Sequence, residues 1–134
     1  MADAPSPRQA GQRARRLGRR GERIARRHLR RHGYRILACN LQAPCGEIDI
    51  LASEGGQTVL VEVKSGRRPA EGVGIARRLA RRFDRAQRKR QRAVLRWLRS
   101  GVSFRNASFR HDLVVVSFDG RRSVVTIRRD VLTR

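Results

Sequence analysis

Gly46-Glu47-Ile48-Asp49-Ile50-Leu51-Ala52, then Gly55-Gly56, then Val59-Leu60-Val61-Glu62-Val63-Lys64 is the stretch that decides how this chain folds. Two apolar runs around a glycine pair read as an antiparallel hairpin, because Gly-Gly accepts the backbone angles of a two-residue turn. Pairing outward from the turn sets Ser53 against Thr58, Leu51 against Leu60, Asp49 against Glu62 and Glu47 against Lys64. Directly opposed residues project to the same side of an antiparallel pair. One face then carries three carboxylates and a lysine, and the other carries Ile48, Ile50, Val61 and Val63 as a core face. Carboxylates gathered in this way call for a cation, so the register alone predicts a metal site.

Upstream, residues 1–12 read as a disordered tail. From about Arg13 to Arg31 the residues Leu17, Ile24, Ala25, His28 and Leu29 recur at helical spacing in an arginine-rich segment. Gly33 is a stop signal, Tyr34 to Ala38 a first strand, and the chain loops through Asn40 and Pro44 into the hairpin. Downstream, Ser65 to Gly74 predicts a mobile loop. Ile75 to Arg99 predicts a second helix with Ile75, Leu79, Phe83, Ala86, Ala93 and Trp97 on one stripe, ended by Ser100-Gly101. Leu113 to Phe118 is continuously apolar, as a central buried strand should be. Asp119-Gly120 then turns into Ser123 to Ile127. The order is helix, three strands, helix, two strands: an α/β chain with one domain over residues 13–134, which is as much as 134 residues can build.

Lys and Arg number 33 against 11 Asp and Glu, for a formal net charge of +22. Such a field attracts polyanions, which ranks nucleic acid first among partners and an anionic membrane surface second. Only Lys64 and Lys89 are lysine, so a chain that uses arginine almost everywhere keeps a compact ammonium two residues after Glu62. Cys39 and Cys45 match no structural zinc spacing and read as reduced thiols in a cytoplasmic protein. The arginine pairs near the start precede no apolar region, and no apolar run reaches membrane-spanning length. There is no Walker loop, dinucleotide fingerprint or Ser/His/Asp signature. Aromatic residues are too scarce for a base-stacking platform.

Phosphodiester hydrolysis is the chemistry that suits such a face. The attacking water must lose a proton, and negative charge on the phosphoryl and leaving oxygens must be neutralised. Mg²⁺ or Mn²⁺ serves these needs, and Mg²⁺ prefers one or two carboxylates with several waters retained. Asp49 and Glu62 are the candidate direct ligands, and Lys64 could orient or polarise the water. Glu22, on the flank of the first helix's apolar stripe, is a candidate further member; pairing with nearby arginine is its plainer reading. Glu47 is either a site residue or a cross-strand ion pair with Lys64. Gln87 could contact substrate phosphate or face solvent, and Arg90 could enter a polar site or snorkel outward. Arg67, Arg68, Arg85, Arg88, Lys89 and Arg90 are candidate contacts to a nucleic-acid backbone, which they would position without reading its sequence. Asp112 reads as structural.

These residues resemble the PD-(D/E)XK nuclease superfamily: Asp49, then Glu62-Val63-Lys64, with a helical Glu22 upstream. Within it the chain resembles the bacterial YraN-type family of uncharacterised proteins, which is similar to archaeal Holliday-junction resolvases. The matching residues are Gly18, Gly21, Glu22, Ala25, Leu29, Gly33-Tyr34 and Asn40, then Gly46 to Leu51 and Val61 to Lys64. They continue through Gln87, Ala93, Trp97-Leu98 and Asp112 to Val115. The resemblance implies a restriction-endonuclease-like core, a mixed central sheet flanked by helices. It also implies Asp49 and Glu62 as metal ligands, Lys64 on the catalytic-base side and Glu22 completing the site. The chain departs from the family in His111, where an aromatic precedes the aspartate, and in its arginine-rich second helix. The expected activity is metal-dependent endonucleolytic cleavage, of DNA rather than RNA, and cutting of branched DNA would favour a homodimer. The alternatives are a non-catalytic nucleic-acid-binding protein on the same fold, or a basic protein of the ribosome or an anionic membrane surface.

Overall fold

A computed structural model describes residues 4–67 and 84–132. The first helix, α1 (Pro7–Arg31), opens on a capping box: the Ser6 hydroxyl accepts from the Gln9 amide while the Gln9 side chain accepts from the Ser6 amide. Pro7 adds its preset φ at the first helical position. The helix therefore starts earlier than Arg13, and the tail expected to be disordered through Gln12 is helical from Pro7 on. Gly21, Ala25 and Leu29, four residues apart, form its buried stripe. A Cβ at Gly21 would collide with Ser65 Oγ and lie 2.8 Å from Ser65 Cβ, so only glycine lets α1 lie this close to the sheet. Gly33, at φ 85°, turns the chain into the first strand.

Three strands follow as a meander, β1 (Arg35–Ala43), β2 (Gly46–Glu54) and β3 (Gln57–Arg67). Gly55 and Gly56 both have positive φ, as the hairpin turn demands. After α2 (Arg85–Ser100) and a short 3-10 turn come β4 (Phe109–Asp119) and β5 (Arg122–Arg128). The five strands lie in chain order, antiparallel throughout except for the parallel pair β3–β4. A parallel pair needs a crossover, which is the service the segment containing α2 performs. The α/β class, the mixed sheet flanked by helices and the order of elements are as the sequence predicts. Strand bounds run wider: Asn40 lies inside β1, not in a loop.

Each face of the sheet carries its own core. Ala25 and Leu29 of α1 pack on Ile50, Ala52, Val59, Val61, Val114 and Val116, while Val94 and Leu98 of α2 pack on Ile48, Leu51 and Leu60. Covered on both sides, β4 is buried from His111 through Phe118, which explains its unbroken apolar run. The stripe on α2 differs from the expected one. Gln91, Val94 and Leu98 are buried, whereas Ala86 is exposed and Trp97 is 39% exposed. Val94 and Leu98 bring branched aliphatic bulk to the sheet that Ala86 and Ala93 lack, and that decides the rotation of the helix. The expected stripe positions Ile75, Leu79 and Phe83, and most of the expected mobile loop, lie outside the described residues. Among the described residues no helix is long and apolar enough to cross a membrane.

Candidate active site

The β2–β3 ladder runs from Glu54↔Gln57 through Ser53↔Thr58 and Leu51↔Leu60 to Ile50↔Val61, and ends there. The expected pairs Asp49↔Glu62 and Glu47↔Lys64 do not form, because beyond Ile50 the strands exchange ladder bonds for a side-chain stitch. The Val63 amide donates to Asp49 Oδ2 at 2.9 Å. Side-chain parity breaks at the same point: Ile50 packs under α1 but Ile48 packs under α2. Ile48 thus leaves the core face assigned to it and joins the other core. The β1–β2 ladder holds its register from Cys39↔Ile50 to Leu41↔Ile48, its shift lying further along between Ile36 and Ala38; Asn40, opposite Asp49, has a left-handed φ of 52°.

The break gathers the carboxylates. Glu62 on β3 is 8% exposed; its Oε1 accepts from Gln87 Nε2 at 2.5 Å and lies 3.3 Å from the Lys64 ammonium. Asp49 and Glu62 are within hydrogen-bonding reach of each other when one is protonated. Burial, then the negative charge of Asp49, pushes the Glu62 carboxyl up to about 7, with Lys64 pulling the other way. Burial likewise raises Asp49; the Val63 amide opposes the rise and Glu47 adds to it. Glu22, brought over the sheet by the close approach at Gly21, is raised by its own burial and then by Asp49, against the pull of Arg26. Glu47 is exposed, acts on Asp49 and Glu22 through space, and makes no ion pair with Lys64 among the described residues.

Asp49, Glu62, Lys64, Glu22 and, at the margin, Glu47 are thus brought into one electrostatic neighbourhood, although among the described residues no three His, Cys, Asp or Glu side chains form a ready metal cage. Two carboxylates whose negative charge is opposed by their burial suit an ion such as Mg²⁺, which keeps most of its waters and takes one or two carboxylates. Gln87 turns inward to Glu62 instead of facing solvent. Its anchor is Asp84, which caps α2 by accepting from the Gln87 amide at 2.9 Å. Arg85, Lys89 and Arg90 are exposed, and Arg88 is half-buried. Arg67, at the end of β3, stands apart from this group beside Arg20 and Phe118. Arg68 lies outside the described residues.

Two supports escape a reading of the sequence. Gln91 Nε2 donates to the Glu47 carbonyl at 3.3 Å, and its Oε1 lies 3.3 Å from His111 Nε2, so α2 ties the start of β2 to β4. Burial holds His111 neutral, lowering it to about 4. Asp112, fully buried, accepts from Tyr34 Oη at 2.9 Å, from Arg110 and from the Asp130 amide. That is the structural role expected of it, filled by pairing with Arg110. Arg110 reaches on to Glu54 at 2.7 Å, fastening the hairpin turn to β4.

The profile of the Uncharacterised protein family UPF0102 matches residues 21–116, from the glycine that seats α1 to the middle of β4. A UPF0102 protein of Chelativorans sp. (strain BNC1) is 43% identical over 105 residues, covering 78% of this chain and 80% of that relative. One from Alkalilimnicola ehrlichii is 38% identical over 105 residues, 78% of this chain and 79% of its own length. A third, from Symbiobacterium thermophilum, is 49% identical over 75 residues, 51% of this chain and 64% of its own. With the profile spanning both the core strands and the carboxylate positions, the chain belongs to the Uncharacterised protein family UPF0102.

Proposed function

We propose that the protein is a metal-dependent phosphodiester hydrolase acting on nucleic acid, DNA before RNA, with Asp49 and Glu62 as ligands for Mg²⁺ or Mn²⁺. One observation carries the reading: a buried carboxylate, Glu62, and a half-buried one, Asp49, within reach of each other and both pushed toward protonation, with an ammonium 3.3 Å from Glu62. When bound, a divalent ion supplies charge neutralisation at phosphoryl oxygen and a more acidic water. Lys64 donates to the attacking water or to a phosphate oxygen and keeps it on the Glu62 side. Gln87 holds Glu62 Oε1, and Glu22 adds negative charge from α1. Exposed Arg85, Lys89 and Arg90 draw the phosphate backbone toward this end of α2.

Asp49 also stitches the sheet, so Asp49→Asn, which keeps an acceptor for the Val63 amide, is the informative substitution. With Mg²⁺ or Mn²⁺ the purified protein should cut DNA, and EDTA should stop it. Asp49→Asn and Lys64→Ala should each lose about 100-fold or more in rate while still binding. Either variant cutting at the wild-type rate would sink the residue assignment. The net charge of +22 favours a second reading, a binding protein that retains the fold without turnover. Steeply salt-dependent binding with no cleavage of linear, nicked, branched or RNA substrates under either ion would select it.

A further inference from the structure

The flank of α1 that faces away from the carboxylates carries a furrow. Three adjoining depressions of about 340 to 370 Å³ run between α1 and the β4–β5 hairpin. The middle depression shares Arg20 with the one at Leu17 and Phe118, and Ile24, Arg27 and Ser123 with the one at His28 and Arg31, so they form one continuous channel. Arg20, Arg23, Arg27 and Arg31 line it from the helix, with Arg67 and Arg121 opposite; among the described residues Asp119 is its one acidic lining residue. From Arg20 to Arg31 the helix rises about 16 Å, the axial length of about five nucleotides of one B-form strand. Glu22 and Arg26 lie on the other flank, with Asp49 and Glu47.

We infer that this furrow seats the phosphate backbone of a double-stranded nucleic acid, as a second contact surface separate from the exposed basic residues of α2. Arginines along a concave channel match a run of phosphates better than a flat membrane surface, which cannot enter it. Of the two rings among the described lining residues, Phe118 is buried and covered by the Arg20 guanidinium at 4.7 Å, and His28 is already stacked on His32 at 4.1 Å. Rings so occupied offer a base little to stack on, which favours a duplex backbone over a splayed single strand. The inference shares only its nucleic-acid partner with the proposed hydrolase and does not require the carboxylates to turn over.

The test is anisotropy titration of a 20-base-pair DNA duplex against the full chain, in EDTA, across a series of KCl concentrations. A furrow variant combines Arg23→Gln, Arg27→Gln, Arg31→Gln and Arg121→Gln. A control of equal charge combines Arg8→Gln, Arg30→Gln, Arg35→Gln and Arg105→Gln, all exposed and none lining the furrow. Arg20 is left alone because it donates to the Arg121 carbonyl at 3.2 Å. The furrow variant should bind at least about tenfold more weakly near physiological salt and lose about three from its log–log salt slope, with the control losing less than about one. Equal losses in both variants, no loss in the furrow variant, or no duplex binding by the wild type would each overturn the inference. So would a furrow variant that keeps duplex binding but no longer binds phosphatidylserine vesicles. If the fourfold variant fails to melt cooperatively, Arg23→Gln with Arg27→Gln carries the same test at half the slope change. Because EDTA removes catalysis from the assay, absence of cleavage elsewhere leaves this result standing.

Discussion

At pH 8 Glu62 must hold a negative charge that its burial and Asp49 both oppose. Its folded-state pKa, about 7, lies above the ordinary 4.5, so the folded state binds the proton more tightly than the unfolded one. Stability from this group is therefore fully present below the ordinary value and is lost as pH climbs through about 7. The loss is on the order of 3 kcal/mol at most, and Asp49 shares it because the two carboxylates titrate together. Glu62→Gln keeps an acceptor for Gln87 and removes the charge. Thermal melts in EDTA should show the variant more stable than wild type at pH 8, with the gap closing by pH 5. Millimolar Mg²⁺ should raise the wild-type melt at pH 8 and leave the variant nearly unmoved. Two curves that run parallel across this pH range, with or without Mg²⁺, would remove the case for a strained carboxylate pair.

Among the elements, α2 separates what the chain announces from what it hides. Leu98 lies in the core beneath the sheet and Trp97 stands at its rim. Leu98→Ala should cost about 2–4 kcal/mol and Trp97→Ala less than about 1 kcal/mol, read from urea unfolding; the reverse ranking would restore the stripe through Ala86, Ala93 and Trp97. That stripe misleads because the true one, Gln87-Gln91-Val94-Leu98, begins with two amides, and amides at core positions look like surface until their partners Glu62 and the Glu47 carbonyl are seen. The hairpin near its turn was legible, since Gly55-Gly56 leaves little choice of register through Ile50↔Val61. Beyond Ile50 a parity break removes the link between sequence alternation and face. Its outward signs were slight: Asn40, a residue tolerant of left-handed backbone, and an aspartate able to replace a ladder acceptor. Asp49, Glu62 and Lys64 were found from a register that the sheet does not fully adopt, and they still converge because Asp49 bridges the gap itself.

For the molecule as a whole, 33 basic residues on 134 leave the folded state repelling itself. Screening should relieve this, so raising NaCl from about 20 mM to about 300 mM should raise the melting temperature by several degrees in scanning fluorimetry. A protein held mainly by attractive surface pairs would melt lower instead. The order of elements is readable at this scale because each strand and helix is marked off by its own apolar pattern and turn residues. The crossover also fixes a sequence of events. Both proposed ligands lie on the β1–β3 meander, whose strand pairings are local, whereas β3 meets β4 only by joining Thr58 to Phe109 across the parallel connection. Loop closure makes that pairing the late one. Until it forms, Val59 to Val63 lie on a bare apolar edge, the kind of edge on which chains aggregate. Glu62 and Lys64 then act as gatekeepers on a transient edge strand, and a substitution that quiets their charge in the finished fold exposes the refolding chain to its neighbours.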